Sequence, residues 1–309
     1  MKITNDAGDI LAVVPLKSVQ ASSRLGAMRR RLDFPDGSSF DTADNDGVDA
    51  LLGRYSLLHR LEKSWRTVVV SVIVAALAAI GFALYGVPVT AALLARHTPP
   101  SVAVYTTEQT LQAMDKIALK PSKTPDAVQK HYRDLFAAVA ATAPRGATGY
   151  HLLFRDAPVI GPNAFALPDG TVVMTDQMIP FVKKDEEIEG VFAHELSHVD
   201  RAHGLQRIYQ ASLVPAAIAF ITGDASQIGQ FAAILPGILL QSAYSREFEH
   251  QADDDAAKQL RRMGASPAPL ADLLERLEKK LCGRKQGCGP NWLGSHPATT
   301  ERAAWLRAH

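Results

Sequence analysis

Cysteine is almost missing from this chain: Cys282 and Cys288 are the only two among 309 residues. That is too few for a disulfide framework. It leaves one short loop, CGRKQGC, that a disulfide would close in an oxidising compartment, with two unpaired surface thiols as the alternative. Net charge is nearly missing too: Lys+Arg 33 against Asp+Glu 32 gives +1. No global electrostatic pull toward nucleic acid or acidic partners follows, and no nucleic-acid partner is expected. Met1 is followed by polar residues, without a basic start and an apolar run, so no cleavable signal peptide is expected. The length leaves room for one sizeable core plus an accessory region, or for two modest domains.

Charge is wholly absent from residues 67–95, TVVVSVIVAALAAIGFALYGVPVTAALLA, which Arg66 and Arg96 bracket. This run exceeds the roughly 20 residues needed to cross a hydrocarbon core and predicts one transmembrane helix surrounded by membrane lipid, with Pro88 as the point where it kinks or ends. Arg54, Arg60, Lys63 and Arg66 crowd its N-terminal flank, and Arg96 stands alone on the other. The positive-inside rule then puts residues 1–66 in the cytoplasm and everything after Arg96 across the membrane. The expected division is a small module at 1–66, the span at 67–95 and a larger domain at 96–309. In the module, the apolar run at 10–15 and the turn signals FPDGSSF and DNDG predict short strands followed by a helix near 48–61. Arg29, Arg30 and Arg31 form a basic cluster that suits either anionic lipid headgroups or a solvated turn. A second apolar stretch, 211–244, is interrupted by Pro215, Gly223-Asp224 and Pro236-Gly237. It reads as buried or membrane-surface helices in preference to a re-entrant hairpin.

The chemistry concentrates in VFAHELSHVDRAH, residues 191–203. On a helix, His194 and His198 lie four apart on one face and can aim two imidazoles at one zinc ion, while Glu195 projects about 100° further round, beside a water that such an ion would activate. Asp185, Glu186, Glu187 and Glu189 suit the positive end of this helix, and Val191, Phe192, Leu196 and Val199 form its apolar stripe. A catalytic zinc needs a third protein ligand. SREFEHQADDDA, residues 245–256, offers Glu249 as that ligand and Asp253, four residues on, as the acceptor that orients a liganding histidine. An acidic solvated helix face is the competing account of this segment. His250 points away from the face of Glu249 by about 100°, and His203 does not share the face of His198. Upstream, helices are expected near 107–119 and 125–141, a strand at 150–154, and a strand-turn-strand at 163–175, NAFALPDGTVVMT. Asn163, Ala164, Phe165 and Ala166 would then lie on a sheet edge able to pair with an extended polypeptide substrate, unless this is an ordinary core hairpin. Leu270, Leu273, Leu274, Leu277 and Leu281 mark an amphipathic helix of ordinary packing.

Four stretches, NAFALPDG, HELSHVDRAHG, SREFEHQAD and SHPATTER, follow one another in the order seen in a family of membrane-linked zinc peptidases of gluzincin type. This chain resembles that family, which includes the CAAX prenyl endopeptidases, the HtpX heat-shock proteases and the Oma-type proteases, over residues 150–306. The resemblance implies an α+β, mainly helical zincin domain with a small sheet and one zinc ion. It implies His194, His198 and Glu249 as ligands, Glu195 as general base and Asp253 as the supporting carboxylate. His296, in the SHP motif, has two competing roles, oxyanion donor or fourth zinc ligand, beside a plain helix-capping role. One convincing span, against the many of the prenyl endopeptidases, turns the comparison toward bacterial members with an extracytoplasmic catalytic domain. The expected protein is therefore a single-pass endopeptidase of a bacterial inner membrane, its catalytic domain periplasmic, cleaving misfolded or unassembled envelope proteins. A membrane-tethered binding or chaperone-like protein with a degenerate zinc site is the alternative, and homo-oligomerisation stays open.

Overall fold

The computed structural model describes residues 2–4, 7, 9–52, 65–222, 244–282, 296 and 300–309. The chain separates into two compact units, Met1–Ile80 and Gly81–His309.

In the first unit, β1 (Lys2–Thr4) and β2 (Ile10–Val13) form an antiparallel pair, and β3 (Gln20–Ala21), β4 (Arg30–Asp33) and β5 (Ser39–Thr42) form a separate antiparallel sheet. Helix α1 (Asn45–Leu52) follows, and Val19, Leu32, Phe34 and Val48 make a small core. The expected helix thus begins at Asn45, and its continuation past residue 52 lies outside the described residues. The arginine cluster is not one patch. Strand alternation turns Arg30 inward, where it is 2 % exposed and ion-paired with Asp49, while Arg29 and Arg31 face outward.

The apolar run forms α2 (Trp65–Gly81), a π-helical turn at Phe82–Gly86, and α3 (Val87–Arg96). Val68–Arg96 is long and apolar enough to cross a membrane. Pro88 neither ends nor breaks the run. It has no N–H for the carbonyl four residues back, and the π turn absorbs that mismatch just ahead of it.

In the second unit α4 (Pro100–Ile117) starts earlier than its apolar periodicity suggests because Pro100 serves as a first helical residue. Then come β6 (Lys120–Pro121), α5 (Asp126–Thr142), β7 (His151–Asp156), β8 (Ala164–Ala166) and β9 (Thr171–Thr175). The sheet order is β6-β7-β9-β8, with β7 and β9 parallel and the other pairs antiparallel, so β8 is an outer strand. Gly170 turns β8 into β9 at φ +109, and a Cβ there would stand 2.6 Å from the Gly149 carbonyl oxygen. Strand β9 is buried throughout because both faces of the sheet are covered. Val172 and Met174 face a core with Phe136 and Phe192, whereas Val173 faces Met114 and Ile208. The motif helix α6 (Asp185–Asp200) packs against α5, β8 and the next helices, α8 (Arg246–Arg262) and α9 (Ala268–Leu277). Between α6 and α8 runs α7 (His203–Thr222), which continues through Pro215, where the sequence suggested a break. Residues 223–243, the rest of that apolar stretch, lie outside the described residues, as does Cys288 with any disulfide it makes. The last helix, α10 (Thr300–Ala308), docks on α9.

Candidate metal centre

Helix α6 begins where Glu187 accepts the Lys183 backbone N–H at 2.9 Å and pairs with Arg276 of α9 at 2.7 Å. This ion pair clamps the start of α6 to α9. Phe192 then meets Phe136 edge to face at 5.2 Å, and the other side of the helix turns His194, Glu195 and His198, all at most 1 % exposed, toward α8. On α8, Ser245 caps the N-terminus by accepting the Phe248 N–H at 3.2 Å, and Glu249 and Asp253 lie buried on the face toward α6. His250 is exposed, its ring 5.6 Å from Trp305, and takes no part.

His194, His198, Glu249 and His296 bring one ligand atom each to within 4.8 Å of one another. Nε2 of His194 stands 3.0 Å from Nε2 of His198 and 3.2 Å from Nδ1 of His296, and both histidines of α6 lie 3.5–3.6 Å from a Glu249 oxygen. Bonds of 2.0–2.1 Å to a tetrahedral ion would separate the donors by about 3.3 Å, so the cluster fits a metal of that geometry.

The partners of the far nitrogens assign the tautomers. Nδ1 of His194 donates to Asp253 Oδ1 at 2.9 Å, leaving a lone pair on Nε2. For His198 a longer relay does the same. Glu247 accepts from the amide nitrogen of Gln251 at 2.7 Å, which turns Gln251 Oε1 to accept from His203 Nε2 at 3.2 Å. Nδ1 of His203 is then an acceptor for Nδ1–H of His198 at 2.9 Å, and Nε2 of His198 keeps its lone pair for an ion. Ala202, at φ 53, makes the left-handed turn between α6 and α7 that brings His203 under His198.

Burial holds the pKa of His198 well below its ordinary value and pushes that of His203 down to about 4, so both stay neutral near pH 7. Burial alone would raise Glu249 and Asp253. Facing His296 and Arg302 holds Glu249 well below its usual value, and Arg302 with His194 lowers Asp253. Arg302 of α10 lies 2.6 Å from Glu249 and forks onto both oxygens of Asp253 at 2.7 and 2.8 Å. It belongs to the SHPATTER stretch, yet nothing in its sequence position shows that it reaches back to α8. Tyr244 was also illegible: it stacks on His198 at 4.0 Å, under the Arg207 guanidinium, and burial pushes its phenol up to about 12. His296 points Nε2 at Glu195 Oε1, 3.5 Å away. Asn163, Ala164, Phe165 and Ala166 are all buried next to the motif helix.

The model of peptidase family M48 matches residues 126–309, more than half of the chain and every residue of the cluster. The chain belongs to peptidase family M48. Residues 2–55 match a domain of unknown function, DUF7092. Among similar proteins are metalloprotease YcaL of Escherichia coli, 35% identical over 150 residues, and metalloprotease LoiP of the same organism, 33% over 153. Each alignment covers 47% of this chain and 57% of the relative. The mitochondrial metalloendopeptidase OMA1 of Saccharomyces cerevisiae is 31% identical over 158 residues, 48% of this chain and 45% of that one. The chain thus spans about half the length of these M48 relatives.

Proposed function

We propose that this chain is a membrane-anchored, zinc-dependent endopeptidase. The observation that carries the reading is the convergence of His194, His198 and Glu249 from two helices on one buried point, with the carboxylate of Glu195 beside it. Two imidazoles and a carboxylate, with no thiolate, suit a catalytic zinc. A zinc ion held there supplies Lewis acidity toward water and the scissile carbonyl.

The protein's own groups do the rest. Glu195 takes the proton of the attacking water and passes it to the leaving amine. Asp253 and the Gln251–His203 relay hold the two imidazoles in register. His296, whose Nδ1 joins the cluster and whose Nε2 faces Glu195, is placed to serve as a fourth ligand or as donor to the oxyanion. The outer position of β8 and the buried Asn163 Oδ1, which has no hydrogen-bond partner among the described residues, support pairing of an extended substrate backbone along residues 163–166.

The membrane reading places 1–66 in the cytoplasm, the span at 67–95 and the peptidase domain, 96–309, on the periplasmic side of a bacterial inner membrane. Trp65 and Arg66, both exposed, suit the interface at the start of the span. Misfolded or unassembled envelope proteins are the substrates this placement favours. Detergent-purified wild type is expected to cleave casein, and Glu195→Gln to lose at least about 100-fold while still binding zinc. Equal activity in the two would refute the peptidase reading. A C-terminal reporter active only in the cytoplasm would refute the topology.

A further inference from the structure

We infer that α7 is a second membrane-entering helix, lying in the same leaflet as the end of the span and facing acyl chains with its outer side. The inference rests on residues 67–95 crossing the bilayer.

Three observations carry it. First, α3 and α7 pack along their length. Val87, Ala91 and Ala95 form the buried stripe of α3, and on α7 Ala219 is buried with Ser212 and Pro215 half-buried before it, a helical face. Small side chains on both stripes let the backbones approach closely, as membrane helices do. Second, the hydrogen bond of 2.9 Å between Thr98 and Tyr209 fixes the register at one end. Thr98 lies just past the end of α3 and Tyr209 near the start of α7, so packing along α3 takes α7 back antiparallel, and Ala219 comes level with Val87 to within about a helical turn. Third, the polarity boundaries coincide. Arg96 ends the uncharged run of α3, and by this register it stands level with Ala211; on α7 the last charge is Arg207, and no charged residue follows until Asp224. The two boundaries agree to about one helical turn.

Depth follows from helix rise. From Arg96 back to Val87 is about 13 Å, nearly half of a hydrocarbon core of roughly 30 Å, so α7 reaches close to the midplane. The outward sides agree with lipid as occupant: Val89 is 61% exposed and Leu93 53% on α3, and Ala216 and Ala217 are exposed on α7. Pro215 inside α7 is also more at home in a membrane helix than in a soluble one.

The test uses the full chain in vesicles of phosphatidylethanolamine and phosphatidylglycerol. Cys282 and Cys288 are replaced by Ser, and a single fluorescent label is placed through Ala217→Cys, Val74→Cys or Ala141→Cys. Val74 reports the span and Ala141 an exposed site of the peptidase domain. Lipids brominated on their acyl chains are expected to quench Ala217 and Val74 alike and to spare Ala141, with aqueous iodide doing the reverse. Iodide quenching at Ala217 with bromine quenching at Val74 would overturn the inference, and loss of bromine quenching at Val74 would instead overturn the span. A photoreactive benzoylphenylalanine at Ala217, in the otherwise native chain, is expected to crosslink to phospholipid. A crosslink to a second copy of the chain would overturn the proposal.

Discussion

Asp253→Asn changes one atom in the support of the metal centre, and its cost can be worked from the geometry. The wild-type carboxylate accepts the His194 Nδ1–H on Oδ1 at 2.9 Å while Arg302 grips both oxygens. Asparagine offers one acceptor and one NH2 group, so its NH2 must confront an N–H of either Arg302 or His194, and one contact is lost. Losing an outer partner of a liganding histidine costs about 10–100-fold in metal affinity, or roughly 1.4–2.7 kcal/mol. We expect zinc competition against a chromophoric chelator to show that drop, with casein cleavage restored by excess zinc. Asp254→Asn, one residue on, alters an exposed pair with Lys258 and should leave affinity unchanged. Zinc affinity of Asp253→Asn within twofold of wild type would refute the argument that the joint contacts of this carboxylate to His194 and Arg302 support the metal centre.

Other outcomes follow from the same reading. Gln251→Leu removes the acceptor that fixes the His203 tautomer and should weaken zinc binding about tenfold, while Gln251→Glu keeps the acceptor and restores it. Glu187→Gln breaks the clamp to Arg276 and should cost about 3 kcal/mol in denaturant unfolding at pH 7. Burial raises the pKa of Glu187 but its bond to Arg276 prevails and leaves it lowered. The stabilisation is therefore complete above the unfolded value near about 4.3 and is lost as pH falls through the folded one, so wild type and variant converge in acid. Ala202→Gly relieves the left-handed backbone and should raise unfolding free energy by up to about 1 kcal/mol, measured the same way.

The local half of the site was legible and the long-range half was not. Helical spacing alone places His194 with His198 and Glu249 with Asp253, and it sets His250 aside, because these relations lie within one or two turns. The hairpin at Pro168-Asp169-Gly170 was readable for the same reason. Arg302 and Tyr244 join the site through tertiary docking, for which their own neighbourhoods give no period or cap. Arg29, Arg30 and Arg31 look identical in sequence, and pairing in β4 decides which of them is buried. Pro215 misled because α7 carries it inside a continuous helix whose packing on α3 was not visible in a stretch read by itself.

The grip of Arg302 on Glu249 and Asp253 also sets an order of events. A chain made from its N-terminus presents both motif histidines, Glu195 and the two carboxylates before α10 exists. Until that last helix docks, the carboxylates lack their buried counter-charge and cannot settle against the histidines. The metal centre is thus assembled late: its two carboxylates gain their buried counter-charge only once α10 has docked.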